Sequence, residues 1–210
     1  MVKHLKSFLQ RLYPYGICRT GQAVYLTFDD GPIPEVTPKV LEILARYNVK
    51  ATFFMVGENI DKHPDVYQQV LAGGHTVANH TYNHIKGFRY STAAYLENTV
   101  QCREALLRNL PSGAPVPPLN IFRPPYGRTF FWQRRALVKS GYKIYLWDVL
   151  TRDYNPRRTP EAMLAQIKRQ TRPGSIINFH DSVKSNERML AVLPRAIEWL
   201  QKEGYTLAPL

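Results

Sequence analysis

The sequence predicts an α/β fold in which about seven parallel strands form a barrel that is short or imperfectly closed. Short β-rich runs alternate with segments whose apolar residues lie three or four positions apart, which is the pattern of repeated β–α units. Glycines stand where several helices return to strands. The chain has 210 residues, whereas a complete eight-unit barrel usually needs about 250.

The elements follow one another in a regular order along the chain. Predicted strands span residues 23–28, 51–56, 75–78, 120–122, 143–147, 175–179 and 205–207. Predicted helices span residues 38–47, 64–72, 93–110, 131–140, 160–170 and 190–202. The corners between helix and strand are marked by Gly74, Gly141, Gly174 and Gly204. No linker or low-complexity tract interrupts this pattern, so residues 22–210 are predicted to form a single domain.

Residues 1–21 are predicted to form a separate basic amphipathic segment. Leu5, Phe8 and Leu9 recur at helical spacing, and Lys3 and Lys6 can face away from them. Such a helix either lies on an anionic membrane or packs against its own domain, and the second alternative is the more common one. The segment lacks the features of a secretory signal and no stretch is long enough for a transmembrane span, so we expect a cytoplasmic protein, which is membrane-peripheral only in the first of these alternatives.

The charge balance predicts the sign of a partner but not its identity. The formal net charge is +12, which favours contact with polyanions such as anionic lipid, acidic glycan or nucleic acid. The basic residues are dispersed and not clustered in blocks, which favours a solvated cationic surface with no specific partner over a nucleic-acid partner. Two cysteines are too few for a disulfide framework.

Polar clusters follow five of the predicted strands. They are Asp29-Asp30, the segment 80–84, the segment 123–128, the segment 148–153 and the segment 180–182. Because active sites of α/β barrels lie at the carboxyl ends of the strands, we expect these clusters to converge. Adjacent carboxylates repel each other, so a cation that binds one aspartate would leave the other as a base. His80 and His84 can point toward one ion, and an added aspartate gives a ligand set with open positions, as in catalytic metal sites.

These motifs, in this order, resemble those of the polysaccharide deacetylases, the NodB-like carbohydrate esterase family 4. The resemblance rests on Thr-Phe-Asp-Asp-Gly-Pro, His-Thr-Tyr-Asn-His, Arg-Pro-Pro-Tyr-Gly-Arg, the segment 147–154 and Phe-His-Asp. It covers nearly the whole chain from about residue 22. It implies a distorted, incomplete (β/α) barrel and a divalent metal, most commonly zinc, with cobalt, manganese and nickel as alternatives.

The resemblance also implies a role for each matching residue. Asp30, His80 and His84 would hold the metal. Asp29 would be the general base, oriented by Arg123. His180 would be the general acid, with its pKa raised by Asp153. The backbone N–H of Tyr126 would help to stabilise an oxyanion.

Two departures from the family pattern affect the acyl pocket. Tyr154 stands where a tryptophan is common, and Asn178 stands where a leucine usually walls the acyl-methyl pocket. Burying an amide in an apolar wall is costly unless the amide finds a partner. Tyr126 and Trp147 are expected near the pocket.

The sequence as a whole predicts a metal-dependent enzyme that removes N-acetyl groups from an amino-sugar-containing glycan. Chitin-like oligomers, peptidoglycan and related glycoconjugates all remain candidate substrates. The alternatives are a deformylase or O-acetyl esterase on the same scaffold, a non-catalytic glycan-binding protein, and a nucleic-acid binder whose affinity falls steeply with salt.

Overall fold

Seven parallel strands form one curled sheet, an incomplete (β/α) barrel, in the computed structural model, which describes residues 22–210. The strands are β1 (Tyr25–Asp29), β2 (Thr52–Met55), β3 (Thr76–Asn79), β4 (Ile121–Phe122), β5 (Lys143–Ile144), β6 (Val149–Leu150) and β7 (Ile176–His180). Their order across the sheet is β5-β4-β3-β2-β1-β7-β6. The predicted fold class is confirmed. The predictions for residues 1–21 lie outside the described residues.

Helices connect the strands and cover the outer face of the sheet. Within residues 22–210 they are α1 (Thr37–Arg46), α2 (Gly57–Lys62), α3 (Pro64–Ala72), α4 (Thr92–Arg108), α5 (Phe131–Lys139), α6 (Pro160–Gln170) and α7 (Asn186–Lys202). Two of them have capped starts: Ala94 N donates to Ser91 Oγ, and Ala162 N donates to Thr159 Oγ1. None of the helices in this part of the chain has the length and apolar composition needed to cross a membrane.

Successive residues of the central strands point to opposite faces of the sheet, and this alternation separates the core from the site. Phe28 of β1 lies in the main core, where it stacks on Phe53 at 4.9 Å and on Phe179 at 5.6 Å between ring centroids. Thr27 and Asp29 alternate with Phe28, so they lie on the inner face, toward the concave side of the curled sheet. The same alternation along β7 places Asn178 on that face.

The structure differs from the predicted elements at three places. The segment 148–153 contains a strand, β6, because two of its residues pair with β7. The predicted strand 205–207 is reduced to a single bridge between Leu207 and Val24. The short helix α2 has no sequence prediction; six residues are too few to show a clear apolar period.

Candidate active site

The inner face of the sheet brings the five polar clusters together at the carboxyl edge of the strands. All strand pairs are parallel, so every strand ends at the same edge. Asp29 is the last residue of β1 and is in register with His180, the last residue of β7. His80 follows β3 directly, and Arg123 follows β4.

Asp30, His80 and His84 form a compact cluster of candidate metal ligands. Their donor atoms all lie within 4.8 Å of one another. Asp30 Oδ1 is 3.1 Å from His84 Nε2 and 3.7 Å from His80 Nε2. Asp30 and His84 both have left-handed backbone angles, with φ of 87° and 52°. Such angles are uncommon for residues other than glycine and are often found at functional sites.

The surroundings of His80 prepare its Nε2 atom to act as a ligand. Its ring Nδ1 lies 2.8 Å from the carbonyl oxygen of Arg123. In the neutral ring, Nδ1–H donates to this carbonyl and leaves the lone pair of Nε2 facing Asp30. Burial lowers the pKa of His80 to about 4, although the charges of Asp29 and Asp30 oppose this effect. The ring is therefore neutral at physiological pH, as metal binding requires.

The carboxylate of the cluster is also in the form that binds cations. Burial on its own would raise the pKa of Asp30, but the hydrogen bond with His84 and the charges of His180, His84 and His80 lower it far below its ordinary value. Tetrahedral zinc bonds of about 2.0–2.1 Å would place neighbouring ligand atoms about 3.4 Å apart. The two distances from Asp30 lie on either side of this value, so these three residues fit a divalent cation.

Asp29 and Arg123 form a fully buried ion pair beside the cluster. Arg123 Nη1 donates to Asp29 Oδ1 at 2.6 Å, and the exposed fractions of the two side chains are 0% and 3%. The guanidinium also donates to the carbonyl oxygens of Tyr145 and Leu146, and it lies 3.9 Å from the ring centre of Phe54. Burial lowers the pKa of Arg123, whereas the charge and hydrogen bond of Asp29 oppose that change.

Asn178 takes part in the same network and is completely buried. Its Nδ2 donates to Asp29 Oδ2 at 3.1 Å, and its Oδ1 accepts a hydrogen bond from Arg123 Nη1 at 2.8 Å. Thr27 Oγ1 accepts from the same Nη1 at 2.9 Å. The amide at position 178 therefore has polar partners, which removes the cost of burying it. Its role in an acyl pocket stays a prediction.

His180 and Asp153 form the second acid–base pair. His180 Nδ1 lies 2.7 Å from Asp153 Oδ1, and the backbone N–H of His180 donates to Asp153 Oδ2 at 2.8 Å. Burial would lower the pKa of His180, but the hydrogen bond and charge of Asp153, together with the charges of Asp30 and Asp29, raise it to about 9. The imidazole is therefore protonated at neutral pH and can donate a proton.

Three aromatic side chains lie around these groups. The Tyr126 ring is 4.8 Å from the ring of His84, and Tyr126 also has a left-handed φ of 61°. The ring of Tyr154 contacts that of His180 edge-on at 5.1 Å. Trp147 lies 5.7 Å from the guanidinium of Arg123. All eleven residues that the sequence singles out thus lie at one edge of the sheet.

Two residues that support the site have no role assigned from the sequence. Thr27 could have been found from its spacing, since it is two residues before Asp29 and therefore shares its face. Asp181 is buried and accepts hydrogen bonds from Gly31 N and Thr37 Oγ1, which fixes the turn after Asp30. A Cβ atom at Gly31 would lie 2.0 Å from Asp181 Oδ2, so only glycine fits there. Burial raises the pKa of Asp181 to about 8.

Comparison with known proteins finds one consistent family. Residues 16–145 match a family model described as polysaccharide deacetylase. The chain is 31% identical to a chitooligosaccharide deacetylase of Bradyrhizobium sp. (strain ANU 289), with 93% of this chain and 92% of the relative covered. It is 32% identical to a peptidoglycan-N-acetylglucosamine deacetylase of Bacillus cereus, with 87% and 83% covered.

A solved structure agrees with these relatives. The Bc1960 peptidoglycan N-acetylglucosamine deacetylase superposes with a TM-score of 0.84 and is 30% identical in sequence. The alignment covers 93% of this chain and 89% of that one. The similarity therefore extends over both the fold and the strand ends that carry the polar clusters.

Proposed function

This chain belongs to the polysaccharide deacetylase family, and we propose that it is a metal-dependent hydrolase that removes N-acetyl groups from an amino-sugar-containing glycan. The observation that carries the proposal is the convergence of three groups at one edge of the sheet. A cluster of candidate metal ligands adjoins a buried aspartate held by an arginine and a protonated histidine held by a second aspartate. Amide hydrolysis needs an electrophile, a base and an acid, and these groups can supply each of them.

Asp30, His80 and His84 would hold the divalent cation, with zinc as the first candidate. When bound there, such an ion supplies Lewis acidity, which polarises the amide carbonyl and acidifies a water molecule. Two imidazoles and one carboxylate leave coordination positions open for small molecules, which is typical of catalytic and not of structural zinc sites.

Asp29 would accept the proton of the attacking water. Arg123 and Asn178 both hydrogen-bond to its carboxylate, on Oδ1 and Oδ2 respectively, so the rotamer of this carboxylate is defined before substrate binds. Arg123 also supplies the opposite charge that favours the ionised form. The base is therefore oriented and paired with an opposite charge before substrate binds.

His180 would donate a proton to the leaving nitrogen. Asp153 fixes the imidazole through Nδ1, so Nε2 is the atom available to the substrate. Tyr154 packs against the ring from the side. In the tetrahedral stage of the reaction, the backbone N–H of Tyr126 would donate to the substrate oxygen on which negative charge develops.

The proposal is tested by acetate release from N-acetylglucosamine oligomers. Protein freed of metal by a chelator should be inactive, and addition of zinc or cobalt should restore activity. The Asp29→Asn variant should bind the same amount of metal and release almost no acetate. Metal-restored release from wild-type protein that persists in this variant would overturn the assignment of the base.

The same assay distinguishes N-deacetylation from the alternative reactions, deformylation and O-acetyl ester hydrolysis. Matched N-formyl and O-acetyl sugars are offered beside the N-acetyl substrate, and formate and acetate are measured. Faster release from the N-formyl or O-acetyl sugar would make the protein a deformylase or an esterase on the same scaffold. Metal binding and glycan binding without release of either acid would contradict a catalytic role.

A further inference from the structure

An exposed group of aromatic side chains lies beside the candidate active site and takes no part in the proposed chemistry. We call it the aromatic rim, and it consists of Phe88, Tyr90, Phe130, Phe131 and Trp132. The exposed fractions of these side chains range from 37% to 57%. Single exposed apolar residues are ordinary, but several large aromatic side chains exposed on neighbouring segments indicate a surface that binds something.

The two segments that carry the aromatic rim are bonded to each other. Gln133 is buried, and its Nε2 donates to the carbonyl oxygens of Gly87 and Tyr90 at 2.7 and 3.1 Å. Its Oε1 accepts from the backbone N–H of Phe130 at 3.0 Å. The rings of Phe130 and Trp132 stack with 4.5 Å between centroids. A buried glutamine thus holds the rim residues in place as parts of one surface.

The rim also belongs to two segments of the chain that lack acidic residues. Residues 66–96 and 105–147 contain no aspartate or glutamate, and the rim belongs to these two segments. Arg89, Arg128 and Arg135 are exposed in the same segments. The surface is therefore aromatic and cationic, without a carboxylate from its own segments to neutralise it.

The rim continues into the mouth of the site. Lys86 and Tyr126 lie between the two, with the Lys86 ammonium 4.8 Å from the centre of the Tyr126 ring. Tyr126 in turn contacts the ring of His84. A partner that covers the rim would consequently lie next to the opening where substrate enters.

We propose that the aromatic rim docks this protein on an anionic lipid bilayer. Aromatic side chains are enriched at the interface between headgroups and acyl chains, and nearby arginines are attracted to anionic lipids. This pairing uses both properties of the surface, whereas a neutral sugar would leave the cationic charge without a function. The proposal goes beyond the proposed function, because it concerns a surface that no step of the hydrolysis needs.

Charge disfavours the two occupants that the chain itself could offer. A second copy carries the same net charge of +12 and would repel the first. The segment 1–21 contains Lys3, Lys6, Arg11 and Arg19 but no acidic residue, so it is also repelled by the arginines near the rim. Of the occupants considered, an anionic surface is the one whose charge complements the arginines near the rim.

The first test measures vesicle binding of the full chain and its variants. Vesicles of phosphatidylglycerol and phosphatidylcholine are sedimented with wild-type protein, with Arg128→Gln/Arg135→Gln, and with Phe131→Ser/Trp132→Ser. At about 1 kcal/mol for each basic residue near an anionic surface, the double arginine variant should bind about thirtyfold more weakly. The aromatic variant should bind the vesicles at least about tenfold more weakly. The matched control Arg169→Gln/Lys202→Gln removes two exposed charges from other helices and should change binding less than twofold.

The second test locates the contact by fluorescence. Lipids brominated on their acyl chains should quench Trp132, and the quenching should shrink in Trp132→Phe. Residues 1–21 contain no tryptophan, so binding through that segment alone would leave this signal unchanged. Circular dichroism of each variant establishes that it is folded. Because both tests measure binding without turnover, they stand apart from the success or failure of the hydrolase assay.

Three outcomes would overturn the proposal. The first is vesicle binding that is unchanged in both rim variants. The second is a Trp132 signal that responds to N-acetylglucosamine oligomers and not to vesicles, which would make the rim a glycan surface. The third is a rim that binds RNA but not vesicles at physiological salt.

Discussion

Two Asp–Arg pairs in this molecule have the same length and opposite surroundings. Asp29 and Arg123 are 2.6 Å apart and almost completely buried. Asp61 and Arg108 are also 2.6 Å apart, but 25% and 53% of their side chains are exposed. The surface carboxylate has two further hydrogen-bond donors, Asn109 and Tyr82, so both aspartates belong to networks.

The difference between the pairs shows that distance alone does not determine what an ion pair does. At the surface, water screens both charges, and such pairs typically contribute about 0–1 kcal/mol to stability. In the interior, each charge depends on its partner, because removing one leaves the other without solvation. A buried pair is therefore a poor stabiliser but an effective means of fixing an ionised side chain. The proposed general base, Asp29, needs a fixed carboxylate, and the surface pair does not fix its aspartate in this way.

Asp29→Asn should have the largest effect on activity. Loss of a general base typically lowers the rate by 10²–10⁴-fold, and the amide cannot accept the proton of water. We expect a kcat reduction in this range with unchanged metal content, measured by acetate release and elemental analysis. Asp61→Asn is the matched control and should leave kcat within twofold. Equal reductions of kcat in the two variants would show that Asp29 and its ion pair affect activity only through the stability of the fold.

Arg123→Leu should have the largest effect on folding. The substitution leaves the Asp29 carboxylate buried without its cation, and breaking a buried pair from one side costs about 3–5 kcal/mol. The measurement is the free energy of unfolding from urea titration, with metal-free protein so that ligand binding does not contribute. A loss below about 1 kcal/mol would indicate that solvent reaches Asp29.

The sequence predicts the outline of this architecture more readily than the pairs themselves. The strand alternation and the polar residues at strand ends are local patterns, so the fold class and the convergence at one edge follow from them. The partners of Asn178 do not, because they depend on the register between β1 and β7, which are 151 positions apart where Thr27 contacts Asn178. The same applies to β6, whose two residues are strand only because β7 lies beside them.

Asn178→Leu separates the predicted pocket role of this residue from the network that the structure shows. If Asn178 positions Asp29, kcat for N-acetyl and N-formyl substrates should fall by the same factor. A reduction of about ten- to 150-fold is expected, because a hydrogen bond to a charged group contributes about 1.5–3 kcal/mol. If Asn178 instead walls the acyl pocket, the ratio of acetate to formate release should change. An unaltered kcat for both substrates would mean that Arg123 alone holds the base.

Asp153→Asn should change the pH dependence of the reaction. Against the effect of burial, the hydrogen bond and charge of Asp153, together with the charges of Asp30 and Asp29, raise the pKa of His180 to about 9. A general acid must be protonated. Activity should therefore fall as pH rises through the pKa of His180. Without the charge of Asp153 that pKa falls, so the alkaline limb of the kcat profile should move to lower pH. A bound cation would lower the pKa of His180 in both proteins, so the direction of the difference between them is unchanged. If the alkaline limb stays at the same pH in Asp153→Asn, it reports the titration of a group other than His180.

Arg108→Leu should have the smallest effect, and it tests the other half of the comparison. The hydrogen bond from Arg108 is the main cause that lowers the pKa of Asp61, yet the Arg108 side chain is more than half exposed, so water can replace this hydrogen bond. We expect a loss of at most about 1 kcal/mol in the free energy of unfolding, and one that shrinks further in high salt. The corresponding loss in Arg123→Leu should depend little on salt, because a buried pair is poorly screened. A similar salt dependence of the loss in the two variants would mean that the two ion pairs do not differ in their exposure to solvent. The argument that assigns the general base to the buried aspartate, Asp29, would then fail.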